Sequence, residues 1–403
     1  MLSTKTIETI KATVPVLEVY GTQITTVFYS NMFEAHPELL NIFNHANQKK
    51  GRQQTALANT VLAAAQNIER LETIIPVVKQ IAHKHRSLMI KPEHYPIVGE
   101  FLLKAIKEVL GDAATDEIIQ AWADAYGVIA QVFIDIETEM YKESASVAGG
   151  WSDYKAFSIT KKVKESDEIT SLYLEPTDGS ILPDFKAGQY ITIRLSIPGE
   201  EFLFNRQYSL STVSNTNFFR ISVKRERTEL NPDGKVSNFL HDHLKEGDTL
   251  EVTVPAGEFI LEENHDPIVF ISGGVGLTPF ISMLGEIAQK HPDREVLFVH
   301  AARNGEVQAF QEEVQTIKDK MKKLTISYVY ENPTAKDLSH PYLGKTGFID
   351  ADWLRENTIL PNGHYYICGP VPFLQTVVKG LKENHIENTN IHYEFFGPSM
   401  NLN

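Results

Sequence analysis

Over roughly the first 145 residues, apolar side chains recur at steps of three and four, and alternating apolar–polar runs are missing. That pattern predicts an all-α region. Breaks near Gly21, His36-Pro37, Lys50-Gly51, Lys91-Pro92 and Gly111-Asp112 divide it into six or more helices. The small, glycine-rich stretch "SASVAGGWSDY" (Ser144 to Tyr154) ends it, with a boundary at about Val147. From Phe157 to about Glu262 the texture becomes short strands. "ITSLYLEP", "QYITIRLSI", "FFRISVKRE" and "TLEVTVPAG" are β-branched or alternating and are separated by Gly, Pro, Asp and Asn turns, which predicts a small antiparallel barrel. After "ENHDP" strands alternate with helices: "PIVFIS", "TPFISMLGEIAQK", "EVLFVHAAR", a helix, then "LTISYVY". This is the pattern of a doubly wound parallel sheet. The expected fold is therefore multidomain: an all-α domain over 1–146, an antiparallel β-barrel over 151–262 and a doubly wound α/β domain over 266–403.

Composition narrows the partners. The formal charge of −14 in 403 residues, with no basic run, argues against nucleic acid or an anionic membrane surface, both of which demand excess Lys and Arg. The first 21 residues read as an amphipathic helix rather than a signal peptide, and no segment is long and apolar enough to span a bilayer. A single cysteine, Cys368, excludes an internal disulfide framework. A cytoplasmic monomer acting on small molecules is expected.

"IAHKHRSLMIKPEHYPIVGE" holds three histidines. On a helix from Ile75 to Met89, Val78, Ile81, Ala82, His85 and Met89 share one stripe. His83 lies about 200° around the axis, beside Lys79, Gln80 and Arg86, so the two cannot chelate one ion from a regular helix. His83 and His94 are expected to be solvated. For His85 the periodicity allows a hydrogen-bonded core histidine or a ligand. Glu137 shares a stripe with Ala130, Phe133, Ile134 and Tyr141, placing a carboxylate toward the core, where it needs a partner.

Further along, "RQYSLS" places Arg206, Tyr208 and Ser209 at the start of a barrel strand. They offer a guanidinium fork for phosphate, a flat ring for an isoalloxazine and a hydroxyl for a flavin edge atom. "ISGGVGLTP" follows a buried strand. Gly273, Gly274 and Gly276 permit a tight turn close to a ligand, Thr278 fits an N-cap and Pro279 the first helical position. A pyrophosphate would sit on the free N–H groups there. Cys368, in "YYICGP", is either near hydride transfer or a buried small residue. Arg303 is a candidate for a 2′-phosphate.

With "AGQY", "VKRE", "GKVSNFLH" and "HYEFFGP" around these motifs, residues from about 151 onward resemble the ferredoxin–NADP reductase family, and residues 1–141 resemble a globin. Together they resemble the flavohaemoglobins. The resemblance implies a nitric oxide dioxygenase converting NO and O2 to nitrate with haem b, FAD and NADH or NADPH. It places His85 as the proximal iron ligand, with Tyr95 and Glu137 as its hydrogen-bonded set strengthening the imidazole. Tyr29, Phe43, Gln53 and Leu57 fall on the distal side; read alone, Tyr29 fits a core tyrosine capped by a carbonyl. It implies FAD contacts at Tyr190, Arg206, Gln207, Tyr208, Ser209, Phe395, Phe396, Gly397 and Pro398. Nicotinamide-nucleotide contacts fall at Gly273, Gly274, Val275, Gly276, Leu277, Thr278, Pro279 and Cys368, and Lys84 and Glu394 tune the two redox centres. The alternatives are a haem-based O2/NO sensor, which would not need the reductase, and an NAD(P)H–flavin reductase with a partner-binding helical domain.

Overall fold

The computed structural model describes residues 2–43, 48, 51–227 and 234–397. These form two compact units, one drawn from residues 1–154 with 194–206, the other from 155–193 with 207–403.

In the first unit, α1 (Thr4–Ala35) starts at Ser3, whose hydroxyl accepts from the Thr6 N–H at 3.0 Å. Ile10, Leu17, Ile24, Phe28 and Met32 form its buried face. Helices α2 (Arg52–Gln66), α3 (Ile75–Ser87), α4 (His94–Leu110) and α5 (Asp116–Ser146) follow, with 3-10 turns at Pro37–Asn41, Leu71–Ile74 and Gly111–Ala113. The break expected at Gly21 does not occur, because α1 continues through both Pro15 and Gly21. Glycine inside a helix costs about 1 kcal/mol relative to alanine. Here Gly21 is buried, and a methyl group on it would make an ordinary contact with Ala58 Cβ at 3.5 Å.

β1 (Lys155–Lys164), β2 (Ile169–Pro176), β3 (Tyr190–Leu195), β4 (Phe204–Ser209), β5 (Phe219–Lys224) and β6 (Thr249–Val252) make a sheet of order β4-β3-β6-β1-β2-β5, which belongs to the second unit except for Arg194–Leu195 of β3 and Phe204–Arg206 of β4. Its ends meet where Leu210, just past β4, bridges antiparallel to Ile221 in β5, which rolls the sheet into a barrel. A short helix, α6 (Lys235–Asp242), precedes β6.

The remaining strands, β7 (Ile268–Gly273), β8 (Val296–Ala302), β9 (Leu324–Tyr330), β10 (Leu343–Thr346), β11 (His364–Cys368) and β12 (Ile391–Glu394), form a parallel sheet of order β10-β9-β8-β7-β11-β12. Helices α7 (Thr278–Lys290), α8 (Gln311–Lys320), α9 (Ala351–Asn357) and α10 (Val371–Glu383) connect them. The chain runs outward from β7 to β10 and then returns to β11 on the other side of β7. Such a reversal opens a crevice at the carboxyl ends of the two central strands.

Candidate functional site

Three helices meet at His85. It lies in the last turn of α3, which closes when Met89 adopts a left-handed φ of 60° and the Ile90 N–H donates to the His85 carbonyl at 3.0 Å. The imidazole Nδ1 is 2.7 Å from Glu137 Oε1 on α5 and 3.3 Å from Tyr95 Oη on α4. Tyr95 donates to the same Glu137 oxygen at 2.7 Å. Glu137 is 2 % exposed, so its carboxylate depends on these two donors for the solvation it has lost. Burial, reinforced by the Glu137 charge, holds the Tyr95 phenol well above its ordinary value and keeps it a donor. The Tyr126 hydroxyl donates to the Tyr95 carbonyl at 2.6 Å, and that of Tyr141 to the Ile90 carbonyl at 2.8 Å. Both tyrosines anchor α5 to the segment carrying His85 and Tyr95. Sequence periodicity marked Tyr141 only as part of an apolar face and did not single out Tyr126.

His83 and His94 differ from expectation. Both are half-buried, and desolvation pushes His83 down to about 4. Arg86, placed beside His83 on the polar face, is 4 % exposed. The long α5 helix packs along α3, so more than one stripe of α3 is covered. His94 Nδ1 accepts from the Lys91 N–H at 3.1 Å and so caps the turn before α4. Lys84 is half-buried beside His85 in the same turn.

On the other side, Tyr29 is in the second half of α1, 6 % exposed, stacked on Phe33 with centroids 5.7 Å apart and edge-on to Phe43 at 5.8 Å. Burial raises its phenol well above the usual range, and a hydrogen bond with Gln53 partly offsets this. Leu57, one turn beyond Gln53 on α2, packs against the same apolar cluster. The donor set fits a haem. His85 has its Nδ1 committed to Glu137, which leaves Nε2 as its metal-binding nitrogen, and a partly exposed apolar surface surrounds it.

Arg206, Gln207, Tyr208 and Ser209 are the final four residues of β4 rather than its start. The first three are half-buried in succession, so each is partly reachable from the surface. Tyr190 opens β3, with its N–H donating to the Ala256 carbonyl at 2.9 Å. An unforeseen tie lies in the first unit, where Asn205 Nδ2 donates to the carbonyls of Asn41 and Ile42 at 2.9 and 3.1 Å. Phe395 packs on the parallel-sheet core, while Phe396 is exposed. Gly397 follows with its N–H bonded to the Phe395 carbonyl at 2.8 Å, and Pro398 lies outside the described residues.

At the crevice of the parallel sheet, Gly273 ends β7 and residues Gly274–Leu277, including Val275, form a 3-10 turn. Gly274 has a φ of 57°, which L side chains adopt only with strain. Gly276 lies under the end of β11: a methyl there would overlap the Cys368 carbonyl and sit 2.8 Å from the Gly369 nitrogen. Thr278 is not the expected N-cap. It is the first residue of α7, and its hydroxyl donates to the Val275 carbonyl at 3.0 Å. Pro279 follows within the first two positions, and no side chain caps the helix start. The Thr278 N–H donates to the Val275 carbonyl and Pro279 has none, so an anion here would meet only the N–H groups that follow them in the first turn. Cys368 is fully buried with its thiol raised well above its usual value, and it pairs across the sheet with Glu394. Arg303 is held by the Glu168 carboxylate, so it is not an uncommitted cation for a 2′-phosphate.

Three family models match in chain order: Globin at residues 26–133, Oxidoreductase FAD-binding domain at 156–260 and Oxidoreductase NAD-binding domain at 270–379. The chain is 54 % identical over 405 residues to a flavohemoprotein of Bacillus anthracis, with 100 % of both covered. It is 52 % identical over 403 residues to that of Bacillus subtilis (strain 168), covering 100 % of this chain and 99 % of the relative. The chain belongs to the flavohemoprotein family. The flavohemoglobin of Malassezia yamatoensis, solved with bound FAD and heme, superposes with a TM-score of 0.86 at 29 % identity over 98 % of this chain and 100 % of that one. The FAD/NAD-binding domain of nitric oxide dioxygenase from Vibrio cholerae O1 biovar El Tor matches at 35 % identity, TM-score 0.56, over 61 % of this chain and all of the other. As a flavohemoprotein the chain is an NAD(P)H-dependent flavohaem oxidoreductase that uses haem, FAD and a nicotinamide nucleotide. Among the described residues, no helix is long and apolar enough to cross a membrane.

Proposed function

We propose that this flavohemoprotein is a nitric oxide dioxygenase that removes NO by converting NO and O2 to nitrate in the cytoplasm, as a monomer, with electrons from NAD(P)H. The observation that carries the reading is the His85–Glu137–Tyr95 set, since an oxygen carrier has no need of a buried carboxylate behind its ligand. The haem would supply the iron at which O2 is activated, and FAD would divide a hydride into single electrons for it.

The protein's own residues do the rest. Glu137 accepts the His85 Nδ1–H, so imidazolate character builds at Nε2, which would make a haem iron held there more electron-rich. Tyr95 holds Glu137 in place and remains protonated. On the distal side Tyr29, next to Gln53, would offer its phenol proton to negative charge on a diatomic. Phe43 and Leu57 limit water. Arg206, Gln207, Tyr208 and Ser209 with Tyr190 would hold FAD, Phe395 or Phe396 with Gly397 would cover it, and the Gly273–Pro279 turn would take the nucleotide pyrophosphate. Lys84 and Glu394 adjust the potentials of the two centres, and the 1–146, 151–262 and 266–403 segments act as the three modules.

Purified protein should consume NO in the presence of O2 and NAD(P)H and yield nitrate stoichiometrically. His85→Ala should abolish this and empty the haem site while FAD stays bound, and His83→Ala should leave haem content unchanged. A wild-type preparation that reduces artificial acceptors but leaves NO untouched would refute the proposal.

A further inference from the structure

At the end of the parallel sheet away from the nucleotide crevice, three side chains from distant segments converge. His364 opens β11, His392 is the second residue of β12, and Glu262 arrives from the chain before β7. His392 is in register with Tyr366, so period two puts His364, Tyr366 and His392 on one face of the sheet. The His364 and His392 rings lie nearly parallel and edge to edge, with centroids 5.6 Å apart and 12° between planes, and Tyr366 stacks on His392 at 4.5 Å and 19°. The Glu262 N–H donates to the Tyr366 hydroxyl at 3.0 Å, which fixes where its carboxylate can reach.

We propose that Glu262, His364 and His392 form a binding site for a Zn2+-class transition-metal ion, separate from the haem, flavin and nucleotide sites. His364 Nδ1 is 3.3 Å from His392 Nε2 and 3.3 Å from Glu262 Oε2, and His392 Nε2 is 3.7 Å from Glu262 Oε1. All three donor groups have a ligand atom within 4.8 Å of the others. Ligands about 2.0–2.1 Å from a tetrahedral ion stand about 3.3 Å apart, so these separations are the edges of such a site.

Without an ion, protons on the two imidazoles can join these groups only pair by pair, whereas one cation held by both nitrogens and the Glu262 carboxylate would engage all three groups together. The His364 Nε2 faces Asp266 Oδ2 at 3.6 Å, the outer carboxylate that commonly orients a ligating imidazole. Side-chain exposures of 14 % and 22 % for the histidines and 44 % for Glu262 leave a sheltered floor and an open side for a water ligand. Two imidazoles and one carboxylate favour Zn2+, Ni2+ or Cu2+ over Mg2+ or Ca2+, which take oxygen ligands. An ion here would join the connection between barrel and parallel sheet to β12, the strand that leads into Phe395 and Phe396.

The test is calorimetric titration of chelator-treated, haem- and FAD-loaded full-length protein with Zn2+ alone, alongside Glu262→Gln, His392→Gln and Asp266→Asn. We expect one saturable site, competed by Ni2+ and not by Mg2+. It should be lost in the first two variants and weakened about 10-fold or more in the third, with NADH-driven ferricyanide reduction intact in all. Zn2+ should also raise the melting temperature of the wild type and not that of Glu262→Gln. No stoichiometric binding by the wild type overturns the site, as does binding that persists in both Glu262→Gln and His392→Gln. Flavin content reports whether each variant has folded, and either variant alone suffices for the comparison.

Discussion

His85 Nδ1 lies 2.7 Å from Glu137 Oε1, although the two residues are on different helices and 52 positions apart. Tyr95 reaches the same oxygen from a third helix. Glu137→Gln keeps the shape and removes the charge. A hydrogen bond to a charged group contributes about 1.5–3 kcal/mol. NO turnover with O2 should therefore fall about 10-fold or more, while CO affinity of the reduced protein changes far less, because CO binding needs little electron donation from the iron's partner. Parallel assays of the two decide it, and equal losses would make Glu137 a folding residue only.

Tyr29→Phe removes the hydroxyl and keeps a ring packed between Phe33 and Phe43. O2 dissociation should accelerate by about 10- to 150-fold, the equivalent of one charge-assisted hydrogen bond. CO affinity should hardly move, and FAD reduction by NAD(P)H should be unaltered. A lower melting temperature with an unchanged O2 off-rate would mean that Tyr29 is a packing residue.

Gly276→Ala should separate the β7 turn from the end of β11, because the added methyl meets backbone atoms of Cys368 and Gly369 that cannot rotate away. Overpacking of this kind costs about 1–3 kcal/mol. Flavin reduction by NAD(P)H should slow about 5- to 150-fold with a higher KM, at undiminished haem occupancy. Stopped-flow reduction with a haem spectrum on the same sample checks both. A rate within twofold of wild type would remove the turn from the nucleotide site.

His300, on β8, is fully buried beside the Ser272 hydroxyl at 2.8 Å, and desolvation pushes it down to about 3. In the unfolded chain it titrates near about 6.5. Between those values the unfolded state binds the proton and the folded state does not, so stability falls as pH falls through this window and is unaffected by His300 above it. The maximal slope is about 1.4 kcal/mol per pH unit. His300→Gln should flatten the acid side of a plot of FAD-release temperature against pH, leaving the neutral side parallel to wild type. An unchanged acid slope would assign the sensitivity elsewhere, with half-buried His83, at about 4, the next group to test in the helical unit.

Several elements were legible because they depend on local periodicity. "ITSLYLEP" is β2 from end to end, and the helix after "ISGGVG" runs Thr278–Lys290 as its pattern indicated. The apolar register of His85 and the inward direction of Glu137 could also be read from spacing, since each is a property of one helix. That the two meet could not, because no single-helix pattern reports the distance between helices. The same limit explains the misplaced residues. Gly21 carries a break signal, yet contacts of α1 with its neighbours outweigh it.

What the sequence by itself determined is the order of three folding patterns and the turn chemistry between them, both set by side-chain alternation over a few residues. Only the tertiary structure decided which polar groups lost their water. His83 and Arg86 look solvated on their own helix and are sheltered by α5, Arg303 is engaged by Glu168 from the barrel, and Thr278 turns its hydroxyl back onto Val275. The convergence of Glu262, His364 and His392 is of the same kind: spread over 131 positions, they meet because parallel pairing of β11 and β12 aligns two strands that share no sequence signal. Burial and charge pairing are set by the opposing surface, and a linear pattern describes only one side of it.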